Sequence, residues 1–301
     1  VDPIEEIAAL AQRRKILCHV DACVGGMMLP FVRDLGHDVP PFDFAVPGVT
    51  SMSVDLHKYG YAAKGASVVL YRDAELRKHQ YFAYTDWPGG IYVSPTMSGT
   101  RPGGAIAAAW AALNKLGFSG YRAIAEEVMK ATLAIQRGVD AIDGVEVLGA
   151  PTMSVLSLGS RTLDIYEVGD VLAERGWHLD RQQKPASLHL TINRAHTKSV
   201  ERFLADLRDA VELSRRPASE RFLQRSKMFL LNTAMRVIPG SVASRMTKVA
   251  SKYLGIGDGE LPKKTAAMYG LMAALPAHAD LDDVVIDLLD KLTRPDGSSP
   301  A

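Results

Sequence analysis

Cysteine is scarce in this chain of 301 residues, where Cys18 and Cys23 are the only two. Both fall in or directly after one expected strand, an awkward place from which to bridge each other. Free thiols are therefore expected, which points to a reducing compartment, the cytoplasm. Long apolar runs are missing as well: no uninterrupted stretch approaches the roughly 20 residues that span a bilayer. A signal-peptide pattern is missing too, because Val1-Asp2-Pro3 leads straight into an acidic helix. No initiator methionine stands at residue 1, so a fragment or processed product is expected, with an upstream segment elsewhere. Charge of one sign does not dominate. The net +1 gives no bulk attraction to nucleic acid or lipid. There is no internal repeat, and no metal site is expected.

What is present is ordinary globular material. Apolar residues at 47% and charged ones at 23% fit a soluble protein with a core. The length suits one large domain or two ordinary ones. Asp2 followed by Pro3 reads as a helix N-cap with proline at the first helical position. Ile4, Ile7, Ala8, Leu10 and Ala11 supply an apolar stripe, closed by Arg13, Arg14 and Lys15 at the negative end of the dipole. The run 16–20 is too short for a helix and reads as a buried strand ending on Asp21. Further strands are expected at 50–54 and 67–71, with helices at 75–80 and 102–116. That interleaving predicts an α/β layer architecture.

From Ser119 the pattern changes. A helix over 119–139 leads to strands at 145–148 and 155–158, a helix at 165–175, a strand at 188–192 and a helix over 197–213. Residues 119–214 thus read as a small α+β domain after an α/β block at 1–118. The stretch 215–262 is basic and amphipathic: Arg215, Arg221, Arg225, Lys227, Arg236, Arg245 and Lys252 face the single acid Glu220 before Asp258. Residues 263–301 read as a helical segment capped by Asp280, then a Pro/Gly/Ser-rich tail expected to be disordered.

Chemistry concentrates at Asp55-Leu56-His57-Lys58-Tyr59-Gly60. Lysine forms Schiff bases with carbonyls once burial or neighbouring cations lower its pKa. A His-Lys pair alone is a common loop feature, so its company decides. Upstream, His19-Val20-Asp21-Ala22-Cys23 puts an acid at the carboxyl end of a strand, where open α/β sheets bind ligands. A carboxylate there suits the pyridine nitrogen of pyridoxal 5'-phosphate (PLP), which must stay protonated to act as an electron sink. By itself the same acid reads equally well as a helix cap.

The order His-Val-Asp-Ala, then Ser-x-x-x-Asp-x-His-Lys, resembles the group II PLP-dependent decarboxylase superfamily, and within it the sphingosine-1-phosphate lyase family. Phe42-Asp43-Phe44, Gly48-Val49-Thr50-Ser51, Asp55 to Tyr61 and Lys64-Gly65 are similar to that family's run around its lysine. So are Asp86-Trp87-Pro88-Gly89-Gly90 onward to Thr96, and Gly99-Thr100-Arg101-Pro102-Gly103-Gly104. Leu158-Gly159-Ser160-Arg161, Asp164-Ile165-Tyr166 and Gly176-Trp177 also match. The resemblance runs to about residue 213 and resumes at Ala266-Ala267-Met268-Tyr269-Gly270.

The resemblance implies the α/β fold of PLP-dependent transferase fold type I, the aspartate-aminotransferase-like fold. Residues 1–118 would be the C-terminal part of its large domain, and 119–214 its small domain. Lys58 would be the Schiff-base lysine, Asp21 the partner of the pyridine nitrogen, and Cys23 would lie against the ring. His57 and Thr100 would sit at the cofactor; Lys64, Tyr61 and Arg101 would line the substrate site. The Gly99–Gly104 loop would approach an active site at a homodimer interface. The implied reaction is retro-aldol cleavage of a phosphorylated long-chain amino alcohol to phosphoethanolamine and a fatty aldehyde. In that fold the PLP-phosphate loop and the ring-stacking group precede the Asp. This chain by itself is therefore expected to fold poorly, to bind PLP weakly and to show no turnover. The alternatives are an amino-acid decarboxylase of the same superfamily, or a non-catalytic fragment or interaction module pairing with a complementary chain. For 215–262, an interfacial segment drawn to anionic membranes stands beside a solvated helical pair.

Overall fold

The computed structural model describes residues 1–215 together with Ala266 and Tyr269. The expectations for the basic stretch beyond Arg215 and for the C-terminal helix and tail lie outside the described residues. Two compact units are found. The first gathers Val1–Gln136, Gly149–Leu156 and Thr191–Val200; the second takes Arg137–Leu148, Ser157–Leu190 and the chain from Glu201 onward.

In the first unit, helix α1 (Ile4–Arg14) buries Ile4, Ala8 and Ala11 and carries Glu5 and Glu6 at its positive end. The expected cap is displaced by one residue. Pro3 occupies the N-cap with no side-chain bond, and Asp2 offers its carbonyl to the Ile4 N–H at 2.8 Å. Ile7 and Leu10, expected inside, are exposed, because the buried stripe is only one residue wide per turn. The strand expected at 16–20 is also shifted. Lys15 turns left-handed (φ 55°) and the Ile16 N–H returns to the Ala11 carbonyl, so Ile16 and Leu17 belong to the helix exit and lie in the open. Strand β1 (His19–Asp21) begins only after them.

Strand β2 (Ser51–Asp55) runs parallel to β1, with His19 opposite Ser51 and Asp21 opposite Ser53. Strand β3 (Ser67–Tyr71) pairs antiparallel on its other side, Asp55 opposite Ser67. Side chains alternate across a sheet. Met52 and Val54 therefore enter the core while Ser51, Ser53 and Asp55 share the opposite face with His19 and Asp21. Helix α2 (Leu29–Asp34) lies between β1 and β2, and α3 (Ala74–Lys78) and the hairpin of β4 (Phe82–Tyr84) and β5 (Tyr92–Ser94) follow β3. The helices expected at 102–116 and 119–139 meet as α4 (Gly103–Asp140), broken at Gly117 (φ 56°, ψ −174°), a conformation natural only to glycine. Val32, Val49, Ala125 and Val128 are fully buried in this unit.

The second unit holds helix α5 (Ile165–Glu174) and strands β6 (Glu146–Val147) and β8 (Asp180–Gln183), with most of β7 (Val155–Gly159), β9 (Ala186–Thr191) and α6 (Val200–Arg215). Their sheet order is β6-β7-β9-β8. The Asp164 carboxylate caps α5 by accepting the Tyr166 N–H at 3.0 Å. Leu158, Val168, Leu172, Leu188, Leu207 and Val211 have no measurable exposure and form the core. Gly138 lets the end of α4 meet Leu204 of α6, since a Cβ there would lie 2.3 Å from a leucine methyl. Ala266 donates its N–H to buried Asp170 at 3.1 Å, and the Tyr269 ring stands 5.5 Å from that of Tyr166.

Candidate active site

The polar face of the first unit's sheet is a hydrogen-bonded ladder. A His19 ring nitrogen and the Ser51 hydroxyl are 2.8 Å apart. The Ser53 hydroxyl donates to Asp21 Oδ1 at 3.0 Å, and the Cys23 N–H reaches the same oxygen at 3.0 Å. One strand over, the Ser67 hydroxyl donates to Asp55 Oδ1. Lys58 closes the network: its Nζ donates to Asp55 Oδ2 at 2.9 Å and to Cys23 Sγ at 3.1 Å.

Lys58 is delivered by the turn that follows β2. The Leu56 carbonyl accepts the Ala62 N–H at 3.0 Å, and the Lys58 carbonyl accepts the Tyr61 N–H at 3.1 Å. Gly60 must be glycine, because a Cβ there would stand 2.3 Å from the Leu56 oxygen. Tyr61 adopts φ 55°, which an aromatic side chain takes only when its surroundings impose it. Those surroundings are visible. The buried Tyr59 hydroxyl donates to the Ile192 carbonyl at 2.7 Å and shares a 2.6 Å hydrogen bond with Ser154 Oγ. The Tyr121 hydroxyl donates to the Gly60 carbonyl at 2.7 Å. Burial pushes the Tyr59 phenol up to about 12, so it stays a neutral donor.

The carboxylates are held ionised. The Cys23 amide, then the Cys23 thiol and the Ser53 hydroxyl, hold Asp21 below its ordinary value, and the Lys58 charge adds to this. The Ser67 hydroxyl and then Lys58 do the same for Asp55. Lys58 departs from the expectation of a lowered pKa. Its bond to Asp55, then that to Cys23, raises it above the ordinary lysine value, because an adjacent carboxylate outweighs partial burial.

Of the residues singled out in the sequence, Asp21, Cys23 and Lys58 come together. The His57 ring turns to the Ala66 carbonyl (3.0 Å) and lies 3.8 Å from Asp55. The Tyr61 hydroxyl accepts the Arg194 N–H at 3.2 Å, and the Arg194 guanidinium pairs with Glu127 at 2.9 Å. Lys64, Thr100 and Arg101 are exposed and make no hydrogen bond or ion pair among the described residues. Asp55, Ser53 and Ser67 were not singled out. The signal for the first two was the alternation Ser51-x-Ser53-x-Asp55 running into Lys58, a polar stripe at strand period.

This donor set fits a cofactor with a reactive carbonyl and a basic ring nitrogen. A primary amine and an ionised carboxylate on the ends of neighbouring parallel strands are bridged by one residue, Cys23. A cavity of about 320 Å³ also opens at Asp21, lined by Val20, Gly25, Leu29, Phe42 and Met153, but Lys58 is not on its wall.

Comparison with known proteins agrees with this chemistry. A family model described as the pyridoxal-dependent decarboxylase conserved domain matches residues 1–157. A sphingosine-1-phosphate lyase of Oryza sativa subsp. japonica is 52% identical over 212 residues, which cover 70% of this chain and 39% of that protein. A sphingosine-1-phosphate lyase of Dictyostelium discoideum is 40% identical over 298 residues, 98% of this chain and 48% of that protein. The solved sphingosine-1-phosphate lyase of Burkholderia pseudomallei matches with a TM-score of 0.70 at 45% identity, covering 76% of this chain and 53% of that one. The fold is that of PLP-dependent fold type I enzymes. The chain spans under half the length of these two curated relatives.

Proposed function

Because the chain belongs to the pyridoxal-dependent decarboxylase family, we propose that it carries the lysine-bearing part of a carbon–carbon lyase acting on phosphorylated long-chain amino alcohols. The single observation of geometry that carries the cofactor part of this reading is the relay from Lys58 Nζ through Cys23 to the Asp21 carboxylate. Lys58 would hold PLP covalently, Asp21 would face its pyridine nitrogen, and Cys23, bonded to both, would lie along the ring between them. When bound, PLP supplies an electron sink that accepts the pair left by a breaking bond. Asp21, held ionised, would serve that sink by favouring a proton on the ring nitrogen. The Tyr59 and Tyr121 bonds hold the Lys58 turn so that the amine is presented at one place. His57 and Thr100 would complete the cofactor's surroundings, and Tyr61, Lys64 and Arg101 would face the substrate. Residues 1–118 would belong to the large domain and 119–214 to the small one.

The substrate class follows from the names of the relatives. Cleavage of C2–C3 turns the C3 hydroxyl into an aldehyde, while C2 gains a proton and leaves as phosphoethanolamine. Protein isolated from its own source and given a phosphorylated sphingoid base is expected to release phosphoethanolamine and long-chain aldehyde in equal amounts. Carbon dioxide from an amino acid, with no aldehyde, would instead identify a decarboxylase and overturn the reading.

The working form would be a homodimer. Phe82, Trp87, Ile91, Val93 and Met97 are all more than half exposed on and around the β4–β5 hairpin. Such a cluster is the mark of an interaction surface rather than of a solvated one. Sedimentation equilibrium tests this, and a concentration-independent monomer overturns it. No helix among the described residues is long and apolar enough to cross a membrane. Peripheral contact through 215–262 would appear as salt-sensitive sedimentation with anionic liposomes, and absent or salt-insensitive binding rejects it.

A further inference from the structure

Lys58 has two partners, and only one of them has a part in the cofactor chemistry set out above. The other is Asp55, the residue that ends β2 three positions earlier, whose Oδ2 lies 2.9 Å from the lysine nitrogen. Its second oxygen is fixed by the Ser67 hydroxyl from β3. The carboxylate is thus held from the neighbouring strand and aimed at the lysine, with only 16% of its side chain exposed. The titratable groups around Lys58 are Asp55, Cys23, Asp21 and His57; Asp55 is in contact with Nζ, whereas the Asp21 carboxylate touches it only through Cys23.

We propose that Asp55 is a positioning residue for Lys58: a counter-ion that holds the free lysine as an ammonium at the mouth of the turn and takes it back whenever it is displaced from the cofactor. This rests on the reading of Lys58 as the cofactor lysine. In the exchange, the substrate nitrogen would bond to the cofactor carbon that Lys58 holds, and the bond from Lys58 Nζ to that carbon would then break. Lys58 leaves as a neutral amine and takes one proton from solvent. Paired with Asp55, the resulting ammonium has no free electron pair and cannot attack again until it gives that proton up. Asp55 therefore slows the lysine's return and leaves the substrate in possession of the cofactor. The direction of the Lys58 pKa agrees with this geometry.

The test reads Lys58 itself rather than turnover. The full chain is exposed to a small amine-reactive reagent across a range of pH, and labelling of Lys58 is followed by peptide mass spectrometry. Asp55→Asn is expected to move the midpoint of the Lys58 profile down by about half a pH unit and to raise its labelling at neutral pH roughly threefold. The effect is small because the lysine is partly exposed and its pairing screened. Asp55→Glu keeps the charge and should restore the original profile, which a purely structural role would not predict. An unmoved Lys58 profile in Asp55→Asn overturns the proposal, as does a rise shared equally by Lys64 and Lys78. If Asp55→Asn does not fold, Ser67→Ala, which frees the carboxylate without removing it, is expected to give a smaller shift of the same sign. An unmoved profile there overturns the proposal equally. A separate arm treats the chain with PLP and borohydride. Capture at another lysine in place of Lys58 would sink the cofactor reading, whatever the labelling profile shows.

Discussion

The two units solve the problem of a sheet differently. In the second, Leu158 on β7 and Leu188 on β9 have no measurable exposure, and α5 and α6 contribute Val168, Leu172, Leu207 and Val211 to the same core. In the first, β3 carries the strand formers Val68, Val69 and Tyr71, yet Val68, Val69 and Leu70 are 37–44% exposed. The face of β1 and β2 that does not enter its core is given to His19, Asp21, Ser51, Ser53 and Asp55. The contrast separates two uses of one alternating pattern. Where both faces or one whole face close on apolar partners, the sheet is a stabilising element. Where one face is a hydrogen-bonded polar ladder, it is a chemical one, and its stability is carried by what lies beneath.

That contrast can be broken by substitution. The largest effect is expected for Leu188→Ala in the second unit, a cavity in a closed core, at about 2–5 kcal/mol. Hydrogen-exchange protection of α5 and β9 should fall accordingly. Tyr59→Phe comes next. It leaves the Ile192 carbonyl and Ser154 hydroxyl without their buried partner and should cost about 1–3 kcal/mol in a denaturant titration. Val69→Ser is expected to change stability by less than about 0.5 kcal/mol despite replacing a valine in a strand, since its side chain is already in the open. A Val69→Ser cost as large as that of Leu188→Ala would mean that the first unit's exposed strand is covered in solution.

Much of this was legible in the sequence. Strands β2, β3 and β7 and helices α5 and α6 fall within a few residues of the windows set by apolar period. Lys58 and Asp21 were found because their neighbours matched a family pattern, and the geometry joins them through Cys23. What escaped has physical reasons. The hairpin of β4 and β5 has strands of three residues, too short to show alternation, and in the sequence residues 86–96 read only as a stretch matching the family. Ile16 and Leu17 looked like a strand because composition does not report the left-handed turn at Lys15 that spends them on the helix exit. Asp55 stood in full view beside Lys58. Its meaning depended on Ser67, twelve residues later, arriving opposite it by antiparallel pairing.

The smallest predicted effect is a pH dependence that differs between the units in its source. Asp21 and Asp55 in the first, and Asp206 in the second, all have folded values below the ordinary 3.8. A carboxyl whose pKa is depressed on folding contributes stability that is present above the unfolded value. That contribution is lost as pH falls through the folded one. Both units should therefore hold their protection down to about pH 4 and lose some below it. In the second unit the Trp177 indole and the Arg175 guanidinium set the effect on Asp206, and substitutions in the first should leave it alone. In the first, Ser53→Ala removes one of the Asp21 donors and Ser67→Ala the leading Asp55 donor, so the double variant should lose less protection between about pH 4 and pH 2 than the parent. Peptide-resolved hydrogen exchange at those two acidities reads both units in one experiment. Equal acid sensitivity of β1 and β2 in parent and double variant would show that the polar ladder orders the site without stabilising the unit that carries it.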